Sequence, residues 1–184
     1  MKHDAGCGHD HDHDQQHDHD HDHDHDQSEL TDPIAVANEG DGGMEVYSGR
    51  GVQFRYPRDW TIEEEAGPEQ MTISVQSPGT AYWTLSLFEE RPDPGHVAAS
   101  VVSAYEEMYD ELDVDESDVQ VFGEPAVARD LDFVCLDLVS TASLLVFQTM
   151  HHTVLVLFQG EDRELESARP LLESITRSLL CDLE

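Results

Sequence analysis

Nine histidines fall within the first 25 residues: His3, His9, His11, His13, His17, His19, His21, His23 and His25. Residues 9–26 read HDHDHDQQHDHDHDHDHD, a two-residue repeat broken once by Gln15-Gln16. Neutral imidazole is the commonest nitrogen ligand for Zn²⁺, Ni²⁺, Cu²⁺ and Co²⁺. In an extended chain, alternate side chains share a face about 6.6 Å apart. Two metal–nitrogen bonds of about 2.0–2.1 Å each close that gap when the backbone flexes. Three or four of the imidazoles can therefore wrap one ion in many equivalent ways. The interleaved aspartates offer acceptors for the free ring N–H. They also raise the imidazole pKa, so protons compete with metal below neutrality. Such a site is labile, which suits buffering, sequestration or delivery of a divalent transition metal better than catalysis. Zn²⁺ or Ni²⁺ are the leading candidates, with Cu²⁺ or Co²⁺ also admitted, and delivery would imply a metal-receiving protein. The competing reading is a low-complexity tail that keeps the chain soluble and binds metal only as any histidine tag does.

Three further positions bear on metal. With the start Met1-Lys2-His3, a free amine, two amides and the third-residue imidazole would form a square-planar site favouring Cu²⁺ or Ni²⁺. Cys7-Gly8-His9 sets a thiolate two residues from an imidazole, a pair suited to zinc or Cu(I). His151-His152 falls between two strand-like runs, where exposed side chains could join the tail around an ion, although a turn pair without function is the simpler reading. His96 is expected in the first turn of a helix, exposed and ordinary. Cys135 lies within an apolar strand and is read as packing, and Cys181 as partly exposed and inert. No Gly-x-Ser-x-Gly, phosphate loop, dinucleotide fingerprint, His-Glu-x-x-His or paired Cys-x-x-Cys occurs, so no enzyme activity is expected.

Charge narrows the classes further. The 184 residues carry 41 acids against nine Lys and Arg, a formal net charge of −32. Residues 1–26 hold nine aspartates and one lysine, a net of −8, which leaves 32 acids against eight arginines, −24, for residues 27–184. A nucleic-acid partner is not expected, because a phosphate backbone needs a basic patch that these scattered arginines cannot build. Lys2 is the only lysine. Abundant carboxylates with almost no lysine fit a protein adapted to molar salt, and a halophilic, cytoplasmic protein is the expectation. No apolar run approaches 18 residues, so no membrane span is expected. The N-terminus shows no apolar segment of the secretory kind. Cys7, Cys135 and Cys181 are too few and too scattered for a disulfide framework, which fits a reducing interior.

Three regions follow. Residues 1–26, whose repeat lacks apolar side chains, form a His/Asp tail expected to be disordered without a ligand. Residues 27–43 form a linker, and 44–184 a globular domain. Within the domain, residues 51–56 alternate Val52, Phe54 and Tyr56 with polar neighbours. The runs 60–64, 69–76 and 81–88 continue the strand pattern as an antiparallel meander. Asp93-Pro94 opens a helix as an N-cap acid before proline. Val97, Val101, Ala104, Tyr105, Met108 and Leu112 fall on one stripe of it. Residues 113–118, four of them acidic, are expected as an exposed loop. Residues 119–122 make a short strand, Gly123-Glu124-Pro125 a turn, and 127–139 one long strand needing a bulge or bend. The runs 142–150 and 153–159 pair as a hairpin around His151-His152. The final helix carries Leu165, Ala168, Leu172, Ile175 and Leu179, with either a kink at Pro170 or a start near Ser167. The class is α+β: an antiparallel sheet of about seven to eight strands, one helix between its halves and one at the C-terminus.

The segment Gly51-Val-Gln-Phe-Arg-Tyr-Pro-Arg-Asp-Trp60 resembles the G-x-x-F-x-Y-P-x-x-W opening of the PsbP-like family, which includes DcrB-like proteins and a nuclear Ran-release factor. Gly123-Glu-Pro-Ala126 is similar to a short Gly-x-Pro-Ala turn midway in those proteins. The order of strands, helix, strands and terminal helix also matches over roughly residues 44–181. The resemblance implies a PsbP-like α-β-α sandwich with mostly non-enzymatic binding or accessory roles, and it carries no catalytic residues. The tail, for its part, resembles the histidine-rich segments of nickel and zinc metallochaperones and transporter loops. Two functions compete: metal buffering or delivery by the tail, and a protein-interaction module whose tail is only solubilising.

Overall fold

The computed structural model describes residues 43–182. The tail, and the linker as far as residue 42, lie outside the described residues.

The chain opens on a hairpin of β1 (Met44–Gly49) and β2 (Val52–Pro57), joined by Arg50-Gly51. Both turn residues have positive φ, 57° and 75°, which is what a two-residue hairpin turn requires. This hairpin is a separate two-stranded sheet. The expected continuous meander is therefore corrected: β2 does not pair with the strand after it. Its alternating Val52, Phe54 and Tyr56 are all buried against a sheet face rather than within the sheet.

The main sheet has seven strands: β3 (Thr61–Ala66), β4 (Gln70–Gln76), β5 (Tyr82–Phe88), β6 (Leu112–Val121), β7 (Glu124–Cys135), β8 (Leu138–Gln148) and β9 (Thr153–Glu161). Their spatial order is β3-β4-β5-β9-β8-β7-β6, and every pair is antiparallel. Helix α1 (Pro94–Met108) covers one face, setting Val97, Ala98 and Tyr105 on Leu131, Phe133, Leu144 and Leu157. Helix α2 (Asp162–Arg177) and the β1–β2 hairpin cover the other. There Phe54, Leu172 and Ile175 join Ile73, Trp83, Leu85 and Val156, all at or below 2 % exposure. Central strand β9 alternates its side chains between these two cores. The outcome is the expected α+β sandwich.

Four local expectations give way. The α1 stripe stops at Met108: Tyr109 leaves the helix with extended angles and lays its ring on Phe133, 4.3 Å between centroids. Leu112, in step with the helix by spacing alone, starts β6 opposite Phe133. Residues 113–118 are accordingly strand, not loop. An edge strand is held by backbone hydrogen bonds, so it tolerates acids on both faces, and those charges discourage further edge pairing. Residues 127–139 are not one bent strand but the ends of β7 and β8 around a tight turn, Leu136-Asp137, with φ of 51° and 63°. Asp137 suits such a turn, but Leu136 does not and no glycine follows, so the sequence signal is weak. The earlier turn is Phe122-Gly123, one residue ahead of the expected position, since Glu124 already pairs with Val121.

Helix α2 runs unbroken through Pro170, which excludes a start at Ser167. Pro170 and Glu166 are both exposed, so the carbonyl deprived of its donor lies on the water side. Leu179 is buried as expected, but beyond the helix. The chain there exchanges two hydrogen bonds with β2, from Gln53 N to Leu180 O (3.0 Å) and from Leu180 N to Gln53 O (2.8 Å).

Candidate functional site

Four connections meet at one end of the sheet: the loop from β5 to α1, the β6–β7 turn, the β8–β9 turn and the segment after α2. Each is placed by local chemistry. Asp93 caps α1, its carboxylate accepting from His96 N at 3.0 Å, with Pro94 next in the helix. Gln148 Nε2 ties the β5–α1 loop down by donating to the carbonyls of Arg91 and Pro92, each at 3.2 Å. Thr149 organises the β8–β9 turn: its hydroxyl accepts from the backbone N–H of His151 (3.3 Å) and His152 (3.1 Å). Asp182 fastens this turn to the C-terminal segment by accepting from Met150 N at 2.9 Å. Partial desolvation pushes the Asp182 carboxyl up. Hydrogen bonds from Met150 and Thr149, with the neighbouring His151, outweigh that effect and hold it below its usual value.

These segments enclose an open groove of about 1100 Å³. Among its lining residues, the large apolar side chains most open to solvent are Val119, Phe122, Met150 and Leu180, exposed to 36, 66, 74 and 47 % respectively. Phe122 occupies a left-handed turn position at φ 53°. For a residue with a Cβ this costs about 1–2 kcal/mol relative to glycine. Its ring rests edge-on against the buried Phe147, with centroids 5.9 Å apart. Four acids, Asp93, Asp118, Glu124 and Asp182, and one cation, Arg91, border the groove. Cys181 also lines it. Desolvation and the adjacent Asp182 charge push its thiol up to about 12, so it stays protonated and unreactive.

The histidines expected from the sequence are not gathered here. His3, His9, His11, His13, His17, His19, His21, His23 and His25, with Cys7, lie outside the described residues. His151 and His152 do sit in the β8–β9 turn, His151 exposed and His152 half-buried, with ring centroids 6.4 Å apart. Among the described residues no group of three or more His, Cys, Asp and Glu side chains is arranged to hold a metal ion. The pair alone supplies at most two ligands. His96 is exposed, and Cys135 is half-buried against the α1 side of the sheet, beside Tyr109. The groove was not anticipated, although a phenylalanine directly before the turn glycine, among acids, is a signal that could have pointed to it.

The solution structure of cyanobacterial PsbP from Synechocystis superposes with a TM-score of 0.56 over 80 % of this chain and 97 % of that one, at 12 % identity. The fold is PsbP-like. Two further structures match with lower scores. One is a Pseudomonas aeruginosa protein of unknown function described as a putative regulator (TM-score 0.47, 14 % identity, 76 % of this chain and 97 % of that one). The other is LpqN of Mycobacterium tuberculosis, described as involved in cell envelope biogenesis (0.44, 13 %, 78 % and 87 %). No protein-family model and no curated protein matches the sequence. In the PsbP-like domain the opening motif is a packing device. Gly51 helps make the first turn, and Phe54 stacks on Tyr47 at 4.9 Å and meets Trp83 at a tilt, 4.8 Å between centroids. Tyr56 and Trp60 complete the same core. No helix among the described residues is long and apolar enough to cross a membrane.

Proposed function

We propose that this chain is a non-enzymatic binder of divalent transition metal, in which the His/Asp tail of residues 1–26 buffers, sequesters or delivers the ion and the PsbP-like domain carries the tail. The observation behind this reading is the density of imidazoles, nine within 25 residues and regularly interleaved with carboxylates. Zn²⁺ or Ni²⁺ is the expected cargo, with Cu²⁺ or Co²⁺ the alternatives. A cytoplasm rich in salt is the setting that fits best: a net charge of −24 on residues 27–184 needs screening. Three cysteines spread widely along the chain, Cys7, Cys135 and Cys181, suit a reducing compartment. Calorimetric titration with Zn²⁺ or Ni²⁺ should show several equivalents bound by the full chain and none by residues 27–184. Equal binding by the truncated chain would overturn the assignment.

A second reading is favoured by the groove. A strongly acidic surface that nonetheless presents Phe122, Met150 and Leu180 to solvent in one concavity has the character of a docking site. On this reading the PsbP-like domain is an interaction module, and the tail serves solubility alone or acts on whatever docks.

A further inference from the structure

Phe122 is placed against two preferences at once. A left-handed turn position favours Asn, Asp or Gly, and a phenylalanine ring favours burial, yet the ring sits at φ 53° and is 66 % exposed. Beside it, Met150 comes from a second turn and Leu180 from the segment after α2. Three separate parts of the chain thus deliver flexible or aromatic apolar side chains to one concavity. Phe122 gains an edge-on contact with the buried Phe147, but no local need of one segment makes the three side chains converge. The groove, about 1100 Å³, is open to solvent, and its lining comes from four separate stretches of chain.

Charge selects the occupant. Asp93, Asp118, Glu124 and Asp182 border the apolar surface, with Arg91 as the single cation among the lining residues. Asp93 and Asp182 are held in place by backbone N–H donors, so these two carboxylates are pre-positioned. An isologous pairing of two copies would bring these acidic rims together, on bodies that each carry −24. An acidic segment would meet the same repulsion.

We propose that this groove docks a basic segment of a partner protein. Two or three apolar side chains of the segment cover Phe122, Met150 and Leu180, and flanking Lys or Arg side chains meet the acidic rim. The inference rests on the reading of the domain as an interaction module and names the chemistry of what that module takes.

The test uses the full chain with a metal chelator present. Three fluorescein-labelled synthetic peptides serve as probes: an amphipathic peptide of Leu and Lys, its counterpart with every Lys replaced by Glu, and its counterpart with every Leu replaced by Ser. Fluorescence anisotropy should show saturable binding of the Leu/Lys peptide and at least tenfold weaker binding of the other two. The methyl resonance of Met150 should shift with the first peptide only. Phe122→Asn suits the left-handed turn, so it removes the ring while keeping the fold, and it should weaken binding at least tenfold. Equal affinity for the Leu/Lys and Ser/Lys peptides, with Met150 unmoved, would mean diffuse attraction to an acidic surface and would overturn the proposal. Binding of the Leu/Glu peptide at Met150, or self-association abolished by Phe122→Asn, would overturn the basic occupant while leaving the interaction-module reading standing. A groove that neither takes any of the peptides nor self-associates would end both.

Discussion

Glu164 shows how one side chain can hold two elements together. From the first turn of α2 its carboxylate accepts from Ser77 Oγ (2.7 Å), Thr80 N (2.6 Å) and Thr80 Oγ1 (2.6 Å) in the β4–β5 connection. Desolvation alone would raise its pKa. The hydrogen bonds from Thr80 and Ser77, with backbone donors at Thr80 and Ala81, overcome that and hold the group at about 2, against an ordinary 4.5. Because the folded-state pKa is depressed, the resulting stability is present in full above about 4.5 and fades as the pH falls toward 2. Glu164→Gln should cost about 1–2 kcal/mol at neutral pH, after allowance for its partial exposure. It should also flatten the acid limb of the stability profile between those two values. Urea unfolding of both proteins from pH 2 to pH 7 checks this, and parallel profiles would refute it.

Backbone strain is concentrated in the turns. Leu136 stands at φ 51° in the β7–β8 turn and is 91 % exposed, so its side chain contributes little packing while its backbone is strained. Leu136→Asn should therefore raise stability by about 1 kcal/mol, seen as a higher melting temperature. An unchanged or lower melting temperature would show that the exposed leucine is held by contacts after all. These same turns explain what could and could not be read from the residues. Strands β4 and β5, the Asp93-Pro94 helix start and the core face of α2 were legible, because their periodicity is unbroken. The β7–β8 turn was not, since Asp137 is its one turn residue and the apolar neighbours run on as one strand. The acidic β6 was not, since an edge strand needs only backbone pairing. Leu112 misled because a residue fifteen positions from Val97 fits a helical stripe and a strand start equally well. The groove escaped notice for a different reason: its residues lie far apart along the chain, at 91–95, 118–127, 148–150 and 180–182, and meet only through the sheet order.

At the scale of the whole molecule the governing quantity is charge. Ion pairs such as Arg58–Glu45 and Arg129–Glu116 at 3.2 and 3.3 Å offset few of the carboxylates. Like-charge repulsion should therefore weaken the folded state at low ionic strength. The melting temperature should climb steeply as KCl rises to about 1 M, where the screening length falls to about 3 Å. Thermal scans along a salt series check this, and a flat profile would contradict the halophilic assignment. The proposed metal binding, by contrast, resides in the tail. Its direct test is the metal content of untagged protein recovered from cells at high salt, beside a form lacking residues 1–26. One dominant divalent transition metal is expected in the full chain and none in the truncated one. An empty tail, or a mixture that only mirrors the growth medium, would contradict it.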